Sequence, residues 1–158
     1  MKCEQKHILI IEDSADERDL YALHLSLKGF RVSKAEDGKE GLDKAFELRP
    51  DLILIDLWLP TIGGWRATQL LRADQRTRDC AVVVITGHPI IRPKTLECDG
   101  WLTKPCPLDQ LDAEIARVLE ARAQCKGLSP HRVRTEPAGH RSRPTADEDR
   151  EFPLPPVR

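Results

Sequence analysis

Three short, almost wholly apolar runs most constrain how this chain can fold. They are His7–Ile11, Leu52–Ile55 and Ala81–Ile85, and continuous apolar runs of this length fit parallel strands that are buried on both faces of a sheet. Two weaker strand patterns, Phe30–Lys34 and Trp101–Thr103, complete a set of five. The runs predict a five-stranded parallel sheet.

Helical patterns lie between the predicted strands. Ser14 and Glu17 have the spacing of a capping box, in which each side chain accepts a hydrogen bond from the other residue's backbone amide. Further helices are predicted to start after an N-cap at Asp37, over 64–74, and at Pro107. This alternation of strands and helices predicts an α/β fold, a doubly wound parallel sheet with right-handed crossovers.

The segment between the fourth and fifth strands differs from the other crossovers. Residues 88–98 contain Pro89 and Pro93 and few apolar residues at helical spacing. A proline inside a helix costs about 3 kcal/mol. We therefore predict only a short fourth helix, beginning after Pro93.

The pattern of apolar residues ends near residue 126. Residues 126–158 are rich in proline and arginine and poor in aliphatic side chains, so they cannot bury enough apolar area to offset the entropy of ordering. We expect a folded domain over 1–125 and a disordered tail over 126–158. The tail is either solvated or a docking peptide built on Phe152–Val157.

Charge and cysteine content favour neither a nucleic-acid binder nor a secreted protein. The 158 residues include 25 basic and 26 acidic side chains, so no net charge draws the chain to nucleic acid. No apolar run approaches the ~20 residues that span a bilayer. The five cysteines are an odd number without a C-x-x-C pair, which suits a reducing cytoplasm.

Carboxylates follow two of the buried strands. Glu12 and Asp13 come directly after the first strand, and Asp56 ends the third. In an open parallel sheet, ligands bind beyond the carboxyl ends of the strands where the strand order reverses, so these acids converge if the two strands are neighbours. Three such carboxylates need a counter-charge. Magnesium, which prefers oxygen ligands, is the expected ion.

Two more polar side chains stand at predicted strand ends. Thr86 follows the fourth strand and Lys104 follows the fifth. A carboxylate, a metal ion, a lysine and a hydroxyl that face one point suit phosphoryl transfer, which depends on positioning and charge neutralisation.

These features together resemble the response-regulator receiver domain of bacterial two-component systems, over about residues 6–123. The matching features are the acidic pair Glu12-Asp13, the motif Asp56-x-x-x-Pro60-x-x-x-Gly64, Thr86 after the fourth strand, and Trp101-x-x-Lys104-Pro105. The resemblance implies a flavodoxin-like sheet with strand order 2-1-3-4-5.

The resemblance also implies a role for each acidic residue. Asp56 would accept a phosphoryl group from a histidine kinase or a small phosphodonor. Asp13, Asp56 and the backbone carbonyl of Trp58 would bind Mg²⁺, with Glu12 acting through water. The bulk of Trp58 is expected to hinder the water that hydrolyses the phosphorylated form.

The remaining site residues would recognise the phosphoryl group and transmit its presence. Lys104 would pair with the phosphoryl group, and its bond to Pro105 would be cis. Thr86 would move to donate a hydrogen bond to a phosphoryl oxygen. Trp101, at the position of the family's switch aromatic residue, would then turn inward.

We expect a stand-alone response regulator in the bacterial cytoplasm, without DNA binding or membrane insertion. Its partners would be a sensor histidine kinase or a phosphotransfer protein, and an unknown downstream protein reached through a phosphorylation-dependent contact or a phosphorelay. A shortened fourth helix makes a monomer the expected state.

Two other functions stay open. One is a constitutive protein-binding module that keeps the fold without signalling. The other is a Mg²⁺-dependent aspartyl-phosphate phosphatase, but such enzymes carry D-x-D after the first strand, where this chain has Glu12-Asp13-Ser14.

Overall fold

The computed structural model describes residues 5–87 and 94–127 of the chain. Their strands and helices alternate in the order β1 His7–Ile11, α1 Ala15–Leu27, β2 Arg31–Ala35, α2 Gly38–Leu48, β3 Leu52–Asp56, α3 Gly64–Ala73, β4 Ala81–Thr86, β5 Gly100–Thr103 and α4 Leu108–Gly127. All strand pairs are parallel, and the sheet order is β2-β1-β3-β4-β5. The predicted fold class and strand order are confirmed.

The apolar runs form the buried centre of the sheet. Every residue of β1, β3 and β4 is buried. Because side chains alternate along a strand, each run contributes to two core clusters, as Leu9 and Ile11 lie in one and Ile8 and Ile10 in the other. The first cluster includes side chains of α2 and α3, and the second includes side chains of α1 and α4.

The N-terminus of α1 departs from the predicted capping box. The Ser14 hydroxyl accepts a hydrogen bond from the Glu17 amide at 3.5 Å, which is the expected half. The reciprocal bond was predicted wrongly. The Ser14 amide instead donates to Glu12 Oε1 at 3.1 Å, and the carboxylate of Glu17 bonds to Lys104. Both acids are therefore directed to the carboxyl edge of the sheet.

The described part of the crossover between β4 and β5 agrees with a shortened fourth helix, but the predicted start directly after Pro93 is wrong, because the described residues there form no helix. Residues 94 and 95 form a turn, and residues 96–99 have no helical structure. Asp99 secures the end of this segment, since Oδ2 accepts bonds from the Val82 amide at 2.7 Å and from Arg72 Nη2 at 2.6 Å. Its Oδ1 accepts a bond from Arg122 Nη2 at 2.7 Å.

Several other sequence predictions can be compared with the described residues only in part. The predicted tail and its Phe152–Val157 segment lie outside them, apart from the end of α4, which reaches Gly127. Among the described residues, no helix combines the length and apolar character needed to cross a membrane. Of the cysteines in the described part, Cys80 and Cys98 are buried, Cys106 is partly buried and Cys125 is exposed.

Candidate functional site

The carboxyl ends of β1 and β3 bring three acids together. The two strands are neighbours, with Ile11 paired to Ile55, so the residues that follow them share one edge of the sheet. One carboxylate oxygen from each of Glu12, Asp13 and Asp56 lies within 4.8 Å of the others. Glu12 and Asp56 are buried and Asp13 is exposed. The convergence that the sequence predicted is present.

Backbone contacts fix the orientation of Asp56. Its Oδ1 accepts a hydrogen bond from the Trp58 amide at 2.9 Å. The start of α3 packs directly on its backbone, because a Cβ at Gly64 would lie 1.9 Å from the Asp56 carbonyl oxygen. Only a residue without a side chain allows this approach, which gives Gly64 a physical role in the motif.

Glu12 is the most enclosed acid of the site, with 1% of its surface exposed. Its Oε1 accepts the bond from the Ser14 amide, and its Oε2 accepts a bond from Lys104 Nζ at 2.6 Å. Burial raises the pKa of Glu12, and these two hydrogen bonds oppose part of the rise. The two hydrogen bonds therefore hold the carboxylate of Glu12 in a fixed position in the site.

Lys104 supplies the positive charge at the centre of the cluster. Its Nζ donates to Asp56 Oδ2 at 2.7 Å, to Glu12 Oε2, and to a carboxylate oxygen of Glu17. Burial alone would lower the pKa of Lys104, but the bonds to the three carboxylates raise it above its ordinary value. The residue is therefore an ammonium ion at neutral pH.

A backbone hydrogen bond holds Lys104 at the carboxyl edge of the sheet. Its amide donates to the Thr86 carbonyl at 2.9 Å, which joins the ends of β4 and β5. The Lys104–Pro105 peptide bond is cis, as the resemblance implied.

Thr86 and Trp101 lie on the same face of the sheet. Thr86 ends β4 and is fully buried. Trp101 pairs with Val84 two residues earlier along that strand, and its partly buried ring packs against the first core cluster. Because side chains alternate in a strand, Val84 and Thr86 point to one face, so Trp101 is a diagonal neighbour of Thr86.

Glu17 is the site residue that the sequence prediction missed. Its spacing from Ser14 assigned it to helix capping, whereas its carboxylate contacts Lys104. One signal could have found it. Glu17 follows Asp13 by four residues, which is one helical turn, so an acid there can reach the same pocket.

The donor set fits a hard divalent cation. Three carboxylates with oxygens within 4.8 Å of one another offer the ligands that Mg²⁺ prefers, and one of them, Asp13, is open to solvent. Lys104 contacts both buried acids, but its single positive charge offsets only one of their two negative charges, and its ammonium group makes no bond to the exposed carboxylate. The cluster retains an excess of negative charge that a cation would neutralise.

Comparisons with known proteins agree with this geometry. A family model described as the response regulator receiver domain matches residues 8–116. The chain is 37% identical over 128 residues to the DNA-binding dual master transcriptional regulator RpaA of Synechocystis, covering 78% of this chain and 53% of that protein. It is 31% identical over 104 residues to the polar-differentiation response regulator DivK of Brucella anthropi, covering 63% of this chain and 85% of that protein.

Solved structures show the same fold. A chemotaxis response regulator of Vibrio cholerae superposes with a TM-score of 0.68 at 26% identity, covering 72% of this chain and 98% of that one. The response regulator TrrA of Thermotoga maritima was solved in complex with Mg²⁺ and BeF. It gives a TM-score of 0.67 at 25% identity, and the match covers 72% of this chain and 99% of that one.

The relatives differ in how much of their length the chain spans. It covers about half of RpaA and 62% of the phosphate regulon regulator PhoB of Klebsiella pneumoniae, but most of DivK. The family model spans most of the described residues. The chain therefore belongs to the response regulator receiver domain family of two-component signalling, whose members are phosphoacceptors that bind Mg²⁺ at an acidic pocket.

Proposed function

We propose that Asp56 accepts a phosphoryl group from a sensor histidine kinase or a phosphotransfer protein in a Mg²⁺-dependent reaction. The hydrogen bond from Lys104 Nζ to Asp56 Oδ2, inside the three-acid cluster, carries this proposal. It supports the proposal because the carboxylate of Asp56 contacts an ammonium group and lies within 4.8 Å of two further carboxylate oxygens. The resulting signal is a phosphorylation-dependent protein contact or the passage of phosphate along a relay.

The residues divide the chemistry between them. The Trp58 amide holds Asp56 Oδ1, so the carboxylate is fixed in orientation when it attacks phosphorus. As the new oxygen–phosphorus bond forms, the bond from phosphorus to the donor breaks and releases the histidine imidazole, or acetate when acetyl phosphate is the donor. Negative charge then spreads over the phosphoryl oxygens, where Lys104 neutralises it. Asp13, Asp56 and the Trp58 carbonyl would hold Mg²⁺, with Glu12 acting through water, and the cation supplies further neutralisation when bound.

The conformational change that follows phosphorylation is proposed to start at Thr86. Its hydroxyl moves to donate a hydrogen bond to a phosphoryl oxygen, and Trp101, its diagonal neighbour, turns into the space that is freed. The named output of RpaA is DNA binding and that of DivK is polar differentiation. For this chain we propose a cytoplasmic monomer that contacts a downstream protein and not DNA.

A phosphodonor assay separates the three candidate functions. We expect purified protein incubated with acetyl phosphate and Mg²⁺ to gain one phosphoryl group, seen by intact-mass spectrometry, and to lose it again over time. Rapid continuous turnover of the donor would instead indicate a phosphatase. No gain of mass at saturating Mg²⁺ would indicate a constitutive binding module and contradict the proposal.

Trp58 is expected to lengthen the life of the phosphorylated form. The residue follows Asp56 by two positions, and 46% of its surface is exposed. Trp58→Asn should speed dephosphorylation several-fold, because a smaller side chain admits the attacking water. The rate is measured as loss of phosphoprotein after the donor is removed. Trp58→Phe keeps the bulk and should stay near the wild-type rate; equal rates for all three proteins would contradict this role.

A further inference from the structure

The ammonium group of Lys104 has no donor left for a phosphoryl oxygen. A lysine side chain has three N–H donors. In this structure they contact three carboxylates, those of Glu12, Asp56 and Glu17. Lys104 must therefore give up one of these contacts before it can pair with a phosphoryl group.

The three carboxylates differ in how easily each can break its contact with Lys104. Glu12 is buried and held by a second bond from the Ser14 amide. Asp56 attacks phosphorus and so stays beside Lys104, although the oxygen that joins phosphorus loses its charge and then accepts the bond from Lys104 less strongly. The side chain of Glu17 is 41% exposed and lies on the first turn of α1. Glu17 is the most exposed of the three acceptors, so it can rotate into water without burying a charge.

Glu17 also adds negative charge where an anion must enter. The acids that could share a metal ion are Glu12, Asp13 and Asp56, and Glu17 is not one of them. Lys104 and a divalent cation together carry three positive charges, enough to balance those three acids. The carboxylate of Glu17 adds a negative charge beside Lys104, which repels an incoming phosphate dianion. Arg18, whose guanidinium donates to the backbone carbonyls of Glu12 and Asp13, adds one positive charge nearby.

Resting on the proposed function, we propose that Glu17 is a positioning residue that Lys104 releases when it binds the phosphoryl group. Glu17 holds the ammonium group in place in the unphosphorylated protein. Its charge slows the entry of anionic phosphodonors. Phosphorylation exchanges the carboxylate of Glu17 for a phosphoryl oxygen, and Glu17 turns to solvent.

Glu17→Gln tests this exchange because it removes the charge and keeps an oxygen that can accept the bond from Lys104. With acetyl phosphate and saturating Mg²⁺ at low ionic strength, the rate constant for phosphorylation should rise about threefold to tenfold, which is the range expected for removing one charge beside a dianion. The gain should shrink in high salt, where the repulsion is screened.

Asp16→Asn is the matched control, since Asp16 is an exposed acid on the same turn of α1. It makes the same change of charge and should raise the rate much less, because it lies outside the contact with Lys104. An unchanged or slower rate in Glu17→Gln, a gain that does not depend on salt, or an equal gain in Asp16→Asn would overturn the role of Glu17. Wild-type protein that takes up no phosphate would instead contradict the proposed function itself.

Discussion

Gly64→Ala is expected to destabilise the domain by about 3 kcal/mol and to slow phosphorylation strongly. The new methyl group would lie 1.9 Å from the carbonyl oxygen of Asp56 and 2.8 Å from Cα of Leu57. Both neighbours are backbone atoms, so no side chain can rotate away, and either α3 or the end of β3 must shift. A shift of β3 moves Asp56 relative to Lys104. Urea unfolding measures the loss of stability, and the phosphodonor assay measures the loss of rate.

Gly63→Ala provides a control one residue away. Its Cβ would be 3.8 Å from the Leu57 carbonyl oxygen, which is an ordinary contact distance. Gly63 has φ −57°, which alanine adopts without strain. We expect a change within about 0.5 kcal/mol and a normal phosphorylation rate. Similar losses in both variants would show that the close packing of α3 on Asp56 is not the cause.

Lys104→Met is expected to cost about 3 kcal/mol of stability at neutral pH without Mg²⁺, and to impair phosphorylation. Methionine keeps the aliphatic stem but leaves Glu12 and Asp56 buried beside each other without a counter-charge. Because a divalent cation neutralises the same cluster, added Mg²⁺ should reduce the loss. Urea unfolding with and without Mg²⁺ measures both effects.

The surface lysine Lys39 offers a matched comparison. It pairs with Asp43, and both side chains are about two-thirds exposed, at 70% and 67%. Such a pair contributes between about 0 and 1 kcal/mol, so Lys39→Met should change stability little, with or without Mg²⁺. A Lys104→Met variant that is as stable as Lys39→Met would contradict the view that Lys104 compensates buried carboxylates.

The central strands and the three-acid cluster were predictable because burial leaves a direct mark on the sequence. A strand covered on both faces must be apolar throughout, so a carboxylate at its end stands out. Edge strands carry a weaker mark. β2 is mostly exposed or partly buried, and the structure places it at Arg31–Ala35, one residue later than the sequence pattern indicated.

Contacts between distant elements were not predictable in the same way. The bond from Lys104 to Glu17 joins residues 87 positions apart, and it depends on how α1 packs against the sheet. The ion pairs of Asp99 with Arg72 and Arg122 also join residues that are far apart in the sequence. Charged residues are common on surfaces, so sequence alone does not indicate which of them meet. The local capping pattern did not predict such a contact: it assigned the Glu17 side chain to the Ser14 amide, whereas this side chain bonds to Lys104.

The position of the acyl phosphate tests the central claim most directly. Protein phosphorylated with acetyl phosphate and Mg²⁺ is reduced with borohydride, which converts a phosphorylated aspartate to homoserine, and the peptides are sequenced by mass spectrometry. We predict homoserine at residue 56 and none in Asp56→Asn protein treated in parallel. Homoserine at Asp13, or phosphate that persists in the Asp56→Asn variant, would contradict the assignment of Asp56 as the phosphoacceptor.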